Sequence, residues 1–231
     1  MPPRYWIFVA LTLALTLFIA YGAYRTAQLL RTWRPESNLL LRPAEIILRA
    51  VLIALCISLG SLSGLEPVRL GWVLTDLPRQ VVTGMIWGGG MALFFYLTTR
   101  WLVTRTGRQF YSDSVLAAII PRHAGELIPI ALAMLLVVTL EELLFRSLLL
   151  GGLAPIIAAP ALLAITSLGF GLLHSPQGTW GMLGAGLAGF LLGAIFLRED
   201  SLIVPLVAHY VTNMFQIIQA MRLQNDETNA S

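Results

Sequence analysis

The chain is organised by a succession of apolar runs, each close to the roughly 20 residues a helix needs to cross a bilayer. They lie at Tyr5–Tyr24, Ile46–Leu65, Val81–Val103, Glu126–Leu150, Pro155–His174, Thr179–Leu197 and Leu202–Met221. Leu70–Arg79 is too short and too mixed to span; it reads as an interfacial turn of helix with Trp72 at headgroup level. Val115–Ile120 reads as a segment on the membrane surface, and the polar tail Arg222–Ser231 is expected to fray. No internal repeat interrupts the pattern. The expected fold is therefore all-α: a polytopic transmembrane helix bundle of about seven spans plus short interfacial helices, forming one integral membrane domain over residues 1–231.

Composition agrees. Hydrophobic residues make up 57% of the chain and charged residues only 12%, with a mean hydropathy of +0.79, against roughly 25% charged residues in soluble domains. Such a chain cannot clothe itself in a solvated surface, which excludes a soluble enzyme, and it is too apolar for disorder. The net charge of +3 is read as topology rather than affinity for nucleic acid. Arg25, Arg31, Arg34 and Arg42 follow the first span, and Arg100, Arg105, Arg108 and Arg122 follow the third. Between the second and third stand only Arg69 and Arg79, opposed by Glu66 and Asp76. The positive-inside rule then places the two richer loops in the cytoplasm, the N-terminus outside and the C-terminus inside. Ile7–Tyr24 is longer than a signal-peptide core of about 7–15 residues and lacks a small-x-small cleavage site, so it reads as a retained helix. The single cysteine, Cys56, rules out an internal disulfide and reads as a small buried residue.

The informative residues are ionisable groups at membrane depth, where each costs at least about 2.5–3.5 kcal/mol on insertion scales. The fourth span carries Glu141, Glu142 and Arg146 in TLEELLFRSLLL. Glu142 and Arg146 are i,i+4 neighbours that can pair, whereas Glu141 points about 100° away and stays free. Two adjacent carboxylates in different environments can take different roles. His174 ends the fifth span one turn after Phe170; His209 lies inside the seventh with Asn213 one turn on. A lone ion pair or membrane histidine is more often a packing device. Four polar groups on three separate spans are harder to explain that way. His123, beside Pro121 and Arg122, reads as solvated. Gly181, Ala185, Gly189 and Gly193 form a small-residue face for close helix packing. Trp6, Trp33, Trp72 and Trp101 fall near span ends, as interfacial anchors do, and Gly151-Gly152 reads as the C-cap of the fourth span. For Glu141 and His174 to meet at one depth, Leu153–Ala159 should be a turn and the next helix should start near Pro160, a favourable first helical residue.

In order and spacing, Glu141-Glu142-x-x-x-Arg146, Phe170-x-x-x-His174 and His209-x-x-x-Asn213 resemble the motifs of the CAAX-protease and bacteriocin-processing family, the Abi or Ras-converting-enzyme-like intramembrane glutamate proteases. The resemblance covers residues 126–221, the expected catalytic core, and leaves the first half as generic membrane helix. It implies a peptidase in which Glu141 is the general base for water, His174 its partner, and His209 and Asn213 the oxyanion hole, with Glu142, Arg146 and Phe170 supporting them. A carboxylate withdrawn from bulk water makes a useful base near neutrality. Neutral donors suit an oxyanion in a dry site. No cofactor is favoured; the alternative is a zinc-dependent protease with Zn²⁺ on Glu141, His174 and His209. The implied partners are a peptide or protein substrate at the membrane, prenylated CAAX-type or a leader peptide, and the lipid bilayer, with no nucleic acid and a monomeric state. A prokaryotic cell membrane is the expected location. The rival readings are a non-enzymatic immunity or partner protein and a transporter, the latter lacking visible repeats.

Overall fold

The computed structural model describes residues 1–33, 35, 37–106 and 118–230. Arg34, Arg108 and the 115–117 part of the expected surface segment lie outside them. Seven helices run among the described residues: α1 (Pro3–Thr32), α2 (Pro43–Ser63), α3 (Leu77–Thr106), α4 (Leu127–Glu142), α5 (Ala159–Leu173), α6 (Gly178–Glu199) and α7 (Ile203–Ala230). No strand occurs among them. Short 3-10 turns at Leu39–Leu41, Pro67–Leu70, Ala124–Glu126 and Ser175–Gln177 join them, and α4 continues directly into a π-helix, Leu143–Gly151. The helices α1, α2, α3, α4 with its continuation, and α6 are each long and apolar enough to cross a membrane. The other two expected spans differ for local reasons. Helix α5 has only 15 residues. Helix α7 is long, but His209, Asn213, Gln216 and Gln219 dilute its apolar run. It also continues as helix to Ala230, through the tail expected to fray.

Proline sets the starts of α1, α2 and α5, where its fixed φ suits the first turn and its missing N–H has no helical partner to lose. The break after the π-helix falls where the depth argument requires it: residues 154–157 turn, and α5 starts at Ala159 with Pro160 in its first turn. Other sequence expectations need correction. Gly152 stands at the C-cap of the π-helix that continues α4, its N–H bonded to the Leu149 and Ser147 carbonyls, but in a right-handed conformation (φ −68°) rather than the left-handed one for which a capping glycine is usually needed. Gly151 is needed for space instead: a Cβ there would collide with the Arg69 carbonyl oxygen of the Pro67–Leu70 turn. The interfacial helix expected over Leu70–Arg79 does not form as one element. Leu70 ends the Pro67–Leu70 turn and is buried, residues 72–74 are not helical, Leu77–Arg79 open α3, and the Trp72 indole packs inward against Gly60 of α2. Ala118 and Ile120 are likewise buried rather than on a surface. Asn38 Nδ2 donates to the carbonyls of Ile119 (2.9 Å) and Ile120 (3.2 Å), tying this stretch to the α1–α2 connection.

Lipid tails are as apolar as leucine, so helices in a bilayer associate by close packing rather than by transfer from water. Two small-residue seams do this. On α3, Cβ atoms at Gly84 and Gly88 would sit 2.8 Å from the Val204 carbonyl oxygen and 2.7 Å from that of Ala208, both on α7. Thr212 Oγ1 donates across this seam to the Gly88 carbonyl (3.2 Å). On α6, Gly189 abuts Phe170 and Gly193 abuts Leu163, both on α5, as the small-residue face predicts. Gly181 departs from that face: its nearest neighbour is Gln177, the residue that precedes α6. The main core gathers Tyr5 and Phe8 of α1, Leu52 and Cys56 of α2, Leu143, Leu144 and Leu148 of the π-helix, and Phe170 of α5. Tyr5 also donates to the Gly152 carbonyl at 2.9 Å, so its hydroxyl is satisfied in the apolar interior.

Candidate active site

The fourth span holds Glu141 and Glu142 at the junction where α4 widens into the π-helix. π-Helical turns are rare and frequent at functional sites, and no sequence signal marks this one. Glu142 is fully buried. Its Oε1 accepts from Arg146 Nη1 at 2.9 Å, the expected i,i+4 pair, and from His209 Nδ1 at 2.7 Å. Its Oε2 has no hydrogen-bond partner among the described residues. Arg146, 2% exposed, donates a second bond from Nη2 to the Gly189 carbonyl (3.2 Å). Its guanidinium lies 4.9 Å from the Phe170 ring centroid, adding a cation–π contact. An ion pair this deep must have its remaining donors satisfied to be tolerated; the carbonyl of Gly189 and the ring of Phe170 do so for Arg146.

Glu141 has a different environment. Its side chain is 25% exposed, against 0% for Glu142, and its Oε2 lies 3.6 Å from His209 Nε2. One imidazole thus faces both glutamates, through a different nitrogen for each. A Glu142 carboxylate paired with arginine can only accept, which assigns a hydrogen to His209 Nδ1. Nε2 can then donate only when the ring is doubly protonated, unlike the neutral donor expected from the sequence.

Phe170 joins the two histidines. Its ring centroid is 4.5 Å from that of His174 and 5.8 Å from that of His209. His174 Nδ1 sits 2.7 Å from the Phe170 carbonyl oxygen, which can only accept, so Nδ1 carries the hydrogen and Nε2 keeps its lone pair. No hydrogen bond or ion pair joins His174 to Glu141 among the described residues. Asn213 lies on α7 one turn beyond His209, its Nδ2 3.7 Å from Met134 Sδ on α4. Glu141, Glu142, Arg146, Phe170, His174 and His209 therefore form one contiguous assembly, and Asn213 borders it beside α4. Glu141, His174 and His209 do not assemble as a set of three donors able to hold a metal ion; no such set occurs among the described residues. His123 stays outside, 71% exposed and 3.8 Å from Glu126.

Residues 123–215 match the family described as Rce1-like, type II CAAX prenyl endopeptidase. Over this stretch the chain is similar to that family. The match contains every motif residue of the assembly and leaves α1, α2 and α3 outside it. The Rce1-like family is a family of proteases, and its membrane setting agrees with the five helices able to cross a bilayer: the chain is an integral membrane protein. No curated protein and no solved structure matches the chain.

Two residues of the site carry no motif. Gly189 supplies the carbonyl that Arg146 binds and the space that Phe170 fills; as one glycine of a packing face it carries no signal of its own. Arg49 on α2 is the other. Its Nη2 pairs with Glu45 at 2.9 Å, its Nη1 is buried without a partner among the described residues, and it interacts electrostatically with Glu141. The rule that flags ionisable residues in apolar spans applies to Arg49 as well.

Proposed function

We propose that the chain is an intramembrane endopeptidase that hydrolyses a peptide bond of a membrane-associated substrate, a prenylated CAAX-type peptide or a leader peptide, by glutamate-activated water. The observation that carries this reading is the division of labour between adjacent carboxylates: Glu142 is sealed by Arg146 and His209, while Glu141 remains open to the outside of the network. Glu141 takes a proton from water, assisted by the free Nε2 of His174, and the resulting hydroxide adds to the scissile carbonyl. Negative charge develops on the carbonyl oxygen, where His209 Nε2–H and Asn213 Nδ2–H donate. Glu142 beside Nδ1 compensates the positive charge that His209 needs in order to donate from both nitrogens. Collapse of the tetrahedral intermediate breaks the C–N bond, and Glu141 returns its proton to the leaving amine. This route uses the chain's own side chains and no metal; metal analysis decides the zinc-dependent alternative on Glu141, His174 and His209.

Glu141→Gln keeps shape and volume but removes the base. In detergent-purified protein it is expected to abolish cleavage of a farnesylated CAAX-type peptide while leaving thermal stability unchanged, and in cells to leave one uncleaved species in the membrane proteome. Full cleavage by this variant would overturn the reading. Metal analysis separates the two chemistries: active protein free of metal supports the glutamate route. About one zinc per chain, with activity lost to a chelator, overturns it.

A further inference from the structure

Arg49 stands apart from every motif, yet its position is specific. Arg49, Leu52 and Cys56 follow at i, i+3 and i+7 on α2 and so share one helix face. Leu52 and Cys56 pack into the core that contains Leu140, Leu143 and Leu144. Arg49 extends that face by one turn, which brings its guanidinium within electrostatic reach of Glu141 although no ion pair closes between them. Nη2 is taken by Glu45, and Nη1 is a buried donor with no acceptor among the described residues. A merely structural i,i+4 pair at a helix start has no need of the second nitrogen in the interior, and an arginine this close to a helix end can snorkel outward. Its side chain is only 17% exposed.

Local charge decides what can satisfy Nη1. Glu45, Glu141 and Glu142 face Arg49 and Arg146, with His209 between the last two glutamates. These acids already equal or outnumber the bases, whichever state His209 is in. A carboxylate from outside would add uncompensated negative charge where charge is expensive. A neutral carbonyl oxygen supplies the missing acceptor without it.

We propose that Arg49 is a further substrate-contacting residue of this site, its Nη1 donating to a main-chain carbonyl oxygen of the bound peptide. The proposal rests on the peptidase reading, and the test separates the two. A farnesylated peptide ending in Cys-aliphatic-aliphatic-Met is prepared as free acid and as C-terminal amide. KM and kcat are measured for the wild type, Arg49→Gln and Arg49→Lys; Kd is measured in the Glu141→Gln background with and without Arg49→Gln. Losing a hydrogen bond from a charged donor raises KM and Kd about 10- to 100-fold. The rise should be equal for acid and amide, with kcat little changed and partial recovery in Arg49→Lys. Unchanged Kd in folded protein overturns the proposal, as does a fall in kcat alone. A loss confined to the free acid replaces the carbonyl by a carboxylate. Should Arg49→Gln fail to fold, Arg49→Lys decides, since it keeps the charge and the Glu45 pair but not the planar fork: wild-type Kd in that variant overturns the proposal. Absence of hydrolysis, with binding that still depends on Arg49, sinks the peptidase reading alone; absence of binding by either peptide sinks both.

Discussion

Helix α1 and the α4–π helix are equally apolar, with mean hydropathies of 2.1 and 2.2 over their best windows, yet 17% of the first window is buried inside the protein and 44% of the second. Through most of α1 the buried described residues form a single stripe, Tyr5, Phe8, Thr12 and Leu15, joined near the helix end by Leu30, while Leu17 and Phe18 are open to the surroundings. In the π-helix every residue from Leu143 to Gly151 is buried. Apolarity therefore says that a segment can cross a membrane and is silent on whether lipid or protein surrounds it. The few charged residues carry that information. Among the described residues Arg25 of α1 meets the exposed Tyr21, at its hydroxyl and ring, whereas Arg146 is held by Glu142, Gly189 and Phe170.

The largest effect should come from breaking that network. Arg146→Ala leaves Glu142 buried without its guanidinium, which costs roughly 3–5 kcal/mol. Loss of folded protein in detergent and a large fall in thermal midpoint are expected, while Arg25→Ala in α1 should be silent. If Arg146→Ala accumulates with wild-type stability, burial of charge does not distinguish the two helices.

Next comes Asn213, at the edge of the same region. Removing one oxyanion donor typically lowers a rate by about 10²–10³. Asn213→Ala should therefore keep a small residual kcat on the peptide substrate with an unchanged melting curve, since its Nδ2 bonds only weakly to the Met134 sulfur. An unaltered kcat would remove Asn213 from the chemistry.

The legibility of the site follows the same division. The i,i+4 spacing of Glu142 and Arg146 is local, so the pair was readable, as was a helix start near Pro160 from the depths of Glu141 and His174 in their spans. His209 was placed on the right helix, but that it faces both glutamates depends on how α7 is held on α3 through Gly84 and Gly88. That contact is 67 residues long-range in sequence, and no periodicity encodes it. Trp72 at a span end looked like an interfacial anchor; only the space over Gly60 shows why it turns inward. The π-turn follows from no residue pattern that we can name.

A smaller effect is expected at Gly189. A Cβ there would stand 3.1 Å from Phe170 Cβ and 3.2 Å from its ring, so Phe170 has to shift by a few tenths of an ångström. Overpacking of this kind costs about 1–3 kcal/mol. Because Phe170 also touches Arg146, His174 and His209, Gly189→Ala should lower both the thermal midpoint and kcat. Gly184→Ala, on the same helix with nothing within 4 Å of the added carbon, should lower neither. Equal behaviour of the two variants would show that close packing at α6 does not transmit to the site.

The smallest effect belongs to the lipid-facing side of α1. Leu17 is 71% exposed, and in a bilayer its neighbours are hydrocarbon chains that refill whatever space a truncation leaves. No protein cavity forms, and no transfer from water is lost, because the side chain was never withdrawn from water by folding. Leu17→Ala should accordingly change stability by no more than about 0.5 kcal/mol, the usual range for a surface position, as read from thermal unfolding in lipid nanodiscs. A loss several times larger would mean that protein covers this face of α1 in the membrane. The helix would then differ from the α4–π helix only in which chain buries it, and the comparison would have to be redrawn around an assembly.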